Sequence, residues 1–221
     1  MPTALVTGAS AGLGRALAAA LVSRKWTVIG DGRDAAALGS AAREIGFTAV
    51  PGDVADPAHR TSLADACPSL DLLVNNASSL GVSPLPSLGS YPLAELENVY
   101  RVNVFAPLAL TQLLLPALSH GTIINISSDA AVEAYEGWGG YGSAKAALDQ
   151  VTAVLGVENP DLAVYAVDPG DLRTAMHQRA FPGEDISDRP LPSSAVPAFL
   201  RLLDERPPSG RYRAADLLVS A

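Results

Sequence analysis

A tyrosine and a lysine lie four residues apart at Tyr141 and Lys145, in a segment rich in alanine and glycine. The segment predicts a helix, on which residues with this spacing share a face. A free tyrosine has a pKa of about 10 and is a poor base at neutral pH. Because a nearby ammonium favours the phenolate and lowers that pKa, the pair is suited to acid–base chemistry. The alternative is a surface tyrosine and lysine without partners.

A glycine-rich segment, Thr7 to Gly14, follows the first apolar run of the chain. Its glycines Gly8, Gly12 and Gly14 permit a tight turn and let backbone N–H groups approach a ligand closely. Where such a turn opens a helix, the N–H groups and the helix dipole favour a bound diphosphate. After the first strand of a βαβ unit, this turn predicts a dinucleotide site, although a glycine-rich turn alone is weak evidence.

Short apolar runs alternate with longer helical runs rich in alanine and leucine. The apolar runs are nearly continuous, as is typical of parallel strands covered on both faces. They are Ala4-Leu5-Val6, Thr27-Val28-Ile29, Phe47 to Val50, Leu70 to Val74, Thr122 to Ile126 and Ala163 to Val167. The alternation predicts a doubly wound α/β sheet with right-handed crossovers, whose ligand lies at the carboxyl ends of the strands.

Helices are predicted between these runs from apolar stripes and from residues that commonly begin or end a helix. One is predicted to carry the stripe Leu13, Leu17 and Leu21, and the next to run from the cap Asp34 to Gly46. Three more are predicted over Asp56 to Ala66, over Pro92 to Leu118 with a kink at Pro107, and after Tyr141. Two irregular segments, Ser78 to Tyr91 and residues 171–194, follow strands and are expected either to border the site or to be ordinary surface loops.

Seven motifs, in order and at consistent spacing, resemble the short-chain dehydrogenase/reductase family from about residue 3 to about residue 175. They are Thr7-Gly8-x-x-x-Gly12-x-Gly14, Asp53-Val54, Asn75-Asn76-Ala77, Asn103, Ser128, Tyr141-x-x-x-Lys145, and Pro169-Gly170 with Thr174. The resemblance implies one Rossmann-fold domain over residues 1–221. Its sheet is expected to be mostly parallel and seven-stranded, in the order 3-2-1-4-5-6-7, with helices on both sides.

The resemblance also implies roles for four catalytic residues. Tyr141 is expected to exchange a proton with the substrate, and Lys145 to lower the tyrosine pKa and hold the cofactor ribose. Asn103 is expected to order a water that links Lys145 to solvent. Ser127 and Ser128 end a strand and point to opposite faces, so only one can meet the tyrosine. The family spacing selects Ser128, which would steady the substrate oxygen.

The cofactor residues follow from the same resemblance. They are Gly8, Ser10, Gly12, Leu13, Gly14, Arg33, Asp53, Val54, Asn76, Ala77, Tyr141, Lys145, Pro169, Gly170, Leu172 and Thr174. Gly32 stands where NAD-preferring members carry an acid, and Arg33 where NADP-preferring members carry a base. Because a guanidinium pairs well with phosphate, NADP(H) is predicted. NAD(H) remains the alternative, since Ala11 replaces a second base and Asp31 could turn towards a ribose.

The predicted function is that of an NADP(H)-dependent carbonyl reductase or alcohol dehydrogenase acting on a small molecule. An NAD(P)-binding redox sensor with little catalysis, and an isomerase that acts by transient oxidation, are the alternatives. The pocket is expected to be lined by Ser78 to Tyr91, by Glu133 to Trp138 and by a lid over residues 171–194. Ser78 replaces the glycine that usually completes Asn-Asn-Ala-Gly, which restricts the backbone there.

The composition of the chain limits the classes of partner that it is expected to bind. The net charge of −8 over 221 residues disfavours nucleic acid and anionic membranes. A single cysteine, Cys67, excludes an intrachain disulfide. With neither a secretory signal nor a spanning apolar run in view, a cytoplasmic protein is predicted. His59, His120 and His177 are expected at the surface, and no metal is predicted, because no donor cluster has ligand spacing.

A homodimer or homotetramer is predicted by the resemblance. The helix from Pro92 to Leu118 and the helix after Tyr141 would pack against their symmetry mates. The apolar residues expected at that contact are Ala106, Leu110, Leu113, Leu114, Ala146, Ala147 and Val151.

Overall fold

The computed structural model describes residues 1–219, and a parallel sheet of seven strands forms their centre. The strands are β1 (Thr3–Val6), β2 (Thr27–Gly32), β3 (Thr48–Pro51), β4 (Leu72–Asn75), β5 (Thr122–Ile126), β6 (Ala163–Asp168) and β7 (Gly210–Arg213). Their order is β3-β2-β1-β4-β5-β6-β7, and every neighbouring pair is parallel. The predicted doubly wound α/β fold and strand order are therefore confirmed.

Helices connect the strands and cover both faces of the sheet. They are α1 (Gly12–Ser23), α2 (Ala35–Ile45), α3 (Pro57–Asp65), α4 (Leu93–Tyr100), α5 (Ala106–Leu114), α6 (Gly139–Glu158), α7 (Ala175–Ala180), α8 (Val196–Glu205) and α9 (Ala214–Val219). Short 3₁₀ turns occur at Leu88–Ser90, Leu115–Ala117, Asp129–Ala131 and Pro192–Ser194. Within residues 1–219, no helix is both long and apolar enough to cross a bilayer.

The ends of α2 are set by local chemistry, as predicted. The carboxylate of Asp34 accepts hydrogen bonds from the N–H groups of Ala36 and Ala37, both at 3.0 Å. Gly46 ends the helix with a φ of 93°, a backbone conformation that glycine adopts without steric cost. Such caps depend on residues close in sequence, which is why the sequence alone locates them.

The predicted helix from Pro92 to Leu118 is divided into α4 and α5 by a π-helical turn at Arg101–Phe105. The break thus begins six residues before Pro107, where the kink was predicted. Pro107 has no N–H to donate to the carbonyl of Asn103, four residues earlier, and its ring crowds that carbonyl. A widened turn just before the proline relieves both problems.

Two further predictions about helices need correction. The helix α6 starts at Gly139, so Tyr141 lies in its first turn and does not precede it. Ala106, Leu110 and Leu114, expected to face a partner chain, are each at most 1% exposed and belong to this chain's own interior. Their spacing marked an apolar stripe correctly, but that stripe packs on the sheet. Leu113, on the other side of α5, is 46% exposed.

The hydrophobic core has a layer on each face of the sheet. Ala4 and Val6 of β1 join α1, α2 and α8 on one face, and Leu5 joins α3, α5 and α6 on the other. Alternating side chains of a strand covered on both faces produce this division. With both faces covered, the carboxyl edge of the sheet is left for a ligand.

Candidate active site

A cavity of about 660 Å³ lies at the carboxyl ends of β1, β2, β4, β5 and β6. Ligands of open α/β sheets bind at this edge. Of the site residues predicted from the sequence, all line the cavity except Gly14 and Asn103. The two exceptions hold lining residues in place, as described below.

The glycine turn depends on close backbone approach. Gly8 and Gly12 have φ values of 67° and 57°, which favour glycine. A Cβ added to Gly14 would overlap the carbonyl oxygen of Gly8, so Gly14 lets α1 pack against the turn. Asn76 donates a hydrogen bond from Nδ2 to the carbonyl of Thr7 at 2.8 Å. The turn after β1 is therefore tied to the end of β4.

Asp31, in β2, is hydrogen-bonded to this turn and is not free to face a ribose. Its Oδ1 accepts the N–H of Gly8 at 2.6 Å, and its backbone carbonyl accepts the N–H of Ala9 at 2.8 Å. Its Oδ2 lies 3.1 Å from Nε2 of His59. Both side chains are buried. His59 was predicted at the surface, and it is instead the buried partner of this carboxylate.

Arg33 lies beyond Asp31 at the open end of the cavity. It is exposed and lines the cavity with Ser10, Gly32 and Asp53. A Cβ at Gly32 would lie 3.3 Å from Oγ of Ser10, so a larger acidic side chain would be crowded there. A guanidinium and a neighbouring hydroxyl, with no carboxylate at residue 32, fit a phosphate on the adenosine ribose.

Tyr141 lies at the other end of the cavity, with its ring buried. The hydroxyls of Ser78 and Ser128 lie beside the phenol in the same cavity. Burial raises the pKa of Tyr141, the hydroxyl of Ser78 opposes the rise, and the Asp168 carboxylate adds to it. The phenol is therefore protonated at neutral pH in this structure.

Lys145 is buried beside the tyrosine, with Nζ 5.4 Å from the centre of the Tyr141 ring. Nζ donates a hydrogen bond to the carbonyl of Ile126 at 2.7 Å. Burial lowers the pKa of Lys145 to about 8, and the Asp149 carboxylate opposes that shift. The lowered tyrosine pKa predicted from the lysine is not found, because removal from water outweighs the other effects on Tyr141.

Of the two serines that follow β5, Ser128 is the one that lies beside the tyrosine. Its Oγ also donates to Oδ1 of Asp129 at 2.9 Å and accepts from the N–H of Ala130 at 3.2 Å. The Oγ of Ser127 is buried and has no hydrogen-bond partner within residues 1–219. The geometry thus agrees with the register that family spacing selected.

Asn103 lies in the π-helical turn and is buried. Its Oδ1 accepts from the N–H of Ser79 at 2.8 Å and from Oγ of Ser78 at 3.2 Å, and its Nδ2 donates to the carbonyl of Ser79 at 2.8 Å. The amide therefore positions Ser78, whose hydroxyl lies beside Tyr141 in the cavity. The sequence predicted Ser78 as a pocket-lining residue and as the replacement of a glycine, but not this role beside the tyrosine. Its place directly after Asn-Asn-Ala at the end of β4 was the available signal.

Aromatic rings line the cavity beyond Tyr141. Trp138 meets the Tyr141 ring edge-on with centroids 5.8 Å apart, and Phe181 lies 6.0 Å from Trp138. His177 lies 4.9 Å from Phe181 and also lines the cavity, although it was predicted at the surface. Each of the three predicted pocket segments contributes lining residues: residues 78–80, Tyr135 with Trp138, and eight residues between 171 and 181.

Comparison with known proteins gives a consistent result. The short chain dehydrogenase family matches residues 2–185. The serine 3-dehydrogenase of Rhizobium radiobacter is 37% identical over 183 residues, which cover 78% of this chain and 72% of that protein. The sepiapterin reductase of Rattus norvegicus is 34% identical over 200 residues, covering 80% of this chain and 76% of that protein.

Solved structures with the same architecture include a short chain dehydrogenase from Salmonella enterica, with a TM-score of 0.88 and 30% identity. The superposition covers 96% of this chain and 95% of that one. A Shigella flexneri protein assigned to the same group, in complex with NADP, has a TM-score of 0.88 and 30% identity over 97% of both chains.

Proposed function

Because the chain belongs to the short-chain dehydrogenase/reductase family, we propose that it transfers hydride between NADP(H) and a carbonyl or secondary alcohol of a small molecule. Tyr141 is the general acid and base. One observation carries the proposal: Ser78, Ser128, Tyr141 and Lys145 line the same cavity as the glycine turn.

The cofactor is NADP(H), which supplies or accepts the hydride when bound. The turn Gly8 to Gly14 holds the diphosphate at the N-terminus of α1, and Arg33 pairs with the ribose phosphate. Asp53, Val54, Asn76 and Ala77 border the adenosine half. Pro169, Gly170, Leu172 and Thr174 hold the nicotinamide half. The NADP and NADPH complexes of two similar proteins, from Shigella flexneri and Escherichia coli, support this choice.

The proton chemistry follows from the environment of the tyrosine. In reduction, the protonated Tyr141 donates its proton to the substrate oxygen as that oxygen becomes a hydroxyl. The hydroxyls of Ser128 and Ser78, which line the cavity beside Tyr141, hold the substrate oxygen next to the phenol. In oxidation the phenolate is needed, and the Lys145 ammonium favours it. With its pKa at about 8, Lys145 is mostly charged at neutral pH.

We further propose that residues 1–221 act as one oxidoreductase domain and that residues 171–194 form its substrate lid. A Cβ at Gly12 would lie 3.5 Å from Cγ2 of Thr174, so the start of this segment passes directly over the glycine turn. A carbonyl reductase or alcohol dehydrogenase fits these residues better than a redox sensor. A sensor needs the cofactor residues but has no use for the group formed by Ser78, Ser128 and Tyr141.

The function is tested by following NADPH oxidation against a panel of aldehydes, ketones, quinones and pterins, with NADPH binding measured separately. We expect at least one carbonyl compound to be reduced by the parent protein and not by Tyr141→Phe. A protein that binds NADPH tightly but reduces none of the compounds would support the sensor instead. Substrate rearrangement without net NADPH consumption would support the isomerase.

A further inference from the structure

The imidazole of His177 lies at the cavity with one nitrogen unpaired. His177 belongs to α7, and its backbone N–H donates to Oγ1 of Thr174 at 3.1 Å. The side chain is only 9% exposed and lines the cavity. Its Nε2 is buried and has no hydrogen-bond partner in the part of the chain that the structure describes. A buried polar atom without a partner is costly, which makes a bound ligand the natural partner.

The other ring nitrogen faces a carboxylate. Nδ1 lies 3.8 Å from Oδ1 of Asp171, and Oδ2 of Asp171 lies 3.8 Å from Nε of Arg189. The first distance is too long for a hydrogen bond, but the negative charge favours a proton on Nδ1. In the neutral ring, Nε2 is then the acceptor. The unpaired Nε2 can therefore accept a hydrogen bond from a ligand that carries a donor.

His177 also ends a row of aromatic rings that begins at the proposed acid–base residue. The row runs from Tyr141 to Trp138, Phe181 and His177, with centroid separations of 5.8, 6.0 and 4.9 Å. Such a wall favours a flat ring, because stacked and edge-on aromatic contacts add to the burial of apolar surface. The row of rings therefore extends from Tyr141, the proposed proton donor, to the unpaired Nε2 of His177.

We propose that His177 is a substrate-recognition residue whose Nε2 accepts a hydrogen bond from an N–H or O–H of the substrate. The substrate is accordingly a carbonyl compound with a flat ring that carries a hydrogen-bond donor. This inference rests on the proposed function and adds the class of substrate to it. Asp171 supports the role by keeping the proton of the imidazole on Nδ1.

Matched compounds test the proposal. A set of ring ketones and aldehydes carries a hydroxyl or amide N–H at different ring positions, and each has a methylated partner that lacks only the donor. Turnover is measured with NADPH for the parent and for His177→Phe, which keeps a ring but removes both nitrogens. For at least one pair, kcat/KM should favour the donor compound about tenfold in the parent, roughly the contribution of one hydrogen bond. That preference should disappear in His177→Phe.

Controls separate recognition from folding and from chemistry. His120→Phe changes an exposed histidine distant in sequence and should keep the parent preference. His177→Asn places an amide oxygen, which can also accept a hydrogen bond, in the position of the imidazole. It should keep part of the preference for the donor compounds, and it serves as the second variant if His177→Phe does not fold. Calorimetric binding of each pair to the NADPH-loaded protein gives the same comparison for compounds that turn over slowly.

The inference is overturned if the parent binds and reduces both members of every pair equally, or if His177→Phe lowers both equally. If Tyr141→Phe still abolishes reduction of the same compounds, the hydride-transfer function stands without it. If the parent binds the donor compounds selectively, His177→Phe loses that selectivity and neither protein reduces them, recognition by His177 stands and the proposed function fails.

Discussion

The ammonium of Lys145 donates a hydrogen bond to the carbonyl oxygen of Ile126 at 2.7 Å, inside the protein and at the end of β5. This bond fixes the lysine between the sheet and the Tyr141 ring. It does not compensate fully for the loss of water, since burial lowers the pKa of Lys145 to about 8. The charged lysine therefore destabilises the folded chain relative to the neutral one.

Stability should consequently rise with pH in the alkaline range. Between pH 8 and the ordinary lysine pKa of 10.5, the unfolded chain keeps a proton on Lys145 that the folded chain has lost. Because the unfolded state binds more protons than the folded state over this range, the free energy of unfolding increases as pH rises. Relative to Lys145→Met, we expect the parent's free energy of unfolding to increase by roughly 3 kcal/mol over that range. Urea denaturation at several pH values measures it. A parallel pH dependence of the two proteins would contradict the assignment.

Selectivity for NADPH should depend on Arg33. Replacing it with alanine removes the guanidinium proposed to pair with the ribose phosphate, and should weaken NADPH binding by about 1.5–3 kcal/mol. NADH, which lacks that phosphate, should bind nearly unchanged. Titration with each cofactor measures both affinities, and Arg43→Ala, at an exposed site on α2, is the matched control. Equal binding of NADH and NADPH by the parent would show that the cofactor is misassigned.

The serines around Tyr141 should not contribute equally. Ser128→Ala and Ser78→Ala each remove a hydroxyl that lies beside Tyr141 in the cavity, and each should lower turnover about tenfold or more with little effect on NADPH binding. Ser127→Ala removes a hydroxyl without a hydrogen-bond partner in the described residues and should have a much smaller effect. A larger loss in Ser127→Ala than in Ser128→Ala would mean that the register at the end of β5 is wrong.

The protein is expected to form at least a dimer through the outer faces of α5 and α6. Leu113 on α5 is 46% exposed and Val154 on α6 is 42% exposed, so apolar surface remains after the inward stripe is buried. A two-fold contact would cover it. Light scattering at micromolar concentration should show a dimer or tetramer, and Leu113→Glu with Val154→Glu should give a folded monomer. A monomeric parent would refute the prediction.

The parts of the molecule that the sequence predicts are those governed by local rules. The glycine turn, the Asp34 cap and the Tyr141–Lys145 pair depend on residue types a few positions apart, and the structure has all three. The strand β7 was not among the apolar runs, because its sequence is Gly-Arg-Tyr-Arg. As an edge strand, it needs less apolar surface than the strands inside the sheet.

What the sequence does not predict depends on residues brought together by folding. Asp31 and His59 are 28 positions apart, and their pairing was not foreseen. The His177 ring lies against Phe181 in the cavity wall, and Ser78 is held by its hydrogen bond to Asn103. The tyrosine pKa was expected to fall, since the sequence reveals the neighbouring lysine but not the extent of burial.

Tyr141→Phe is the most direct test of the account. The substitution keeps the ring against Trp138 and removes only the phenolic hydroxyl. General acid–base catalysis contributes about 10²–10⁴-fold, so turnover should fall by at least that range. NADPH affinity and the melting temperature should stay close to those of the parent. A Tyr141→Phe protein that reduces the same carbonyl compound at a rate near that of the parent would contradict the central claim.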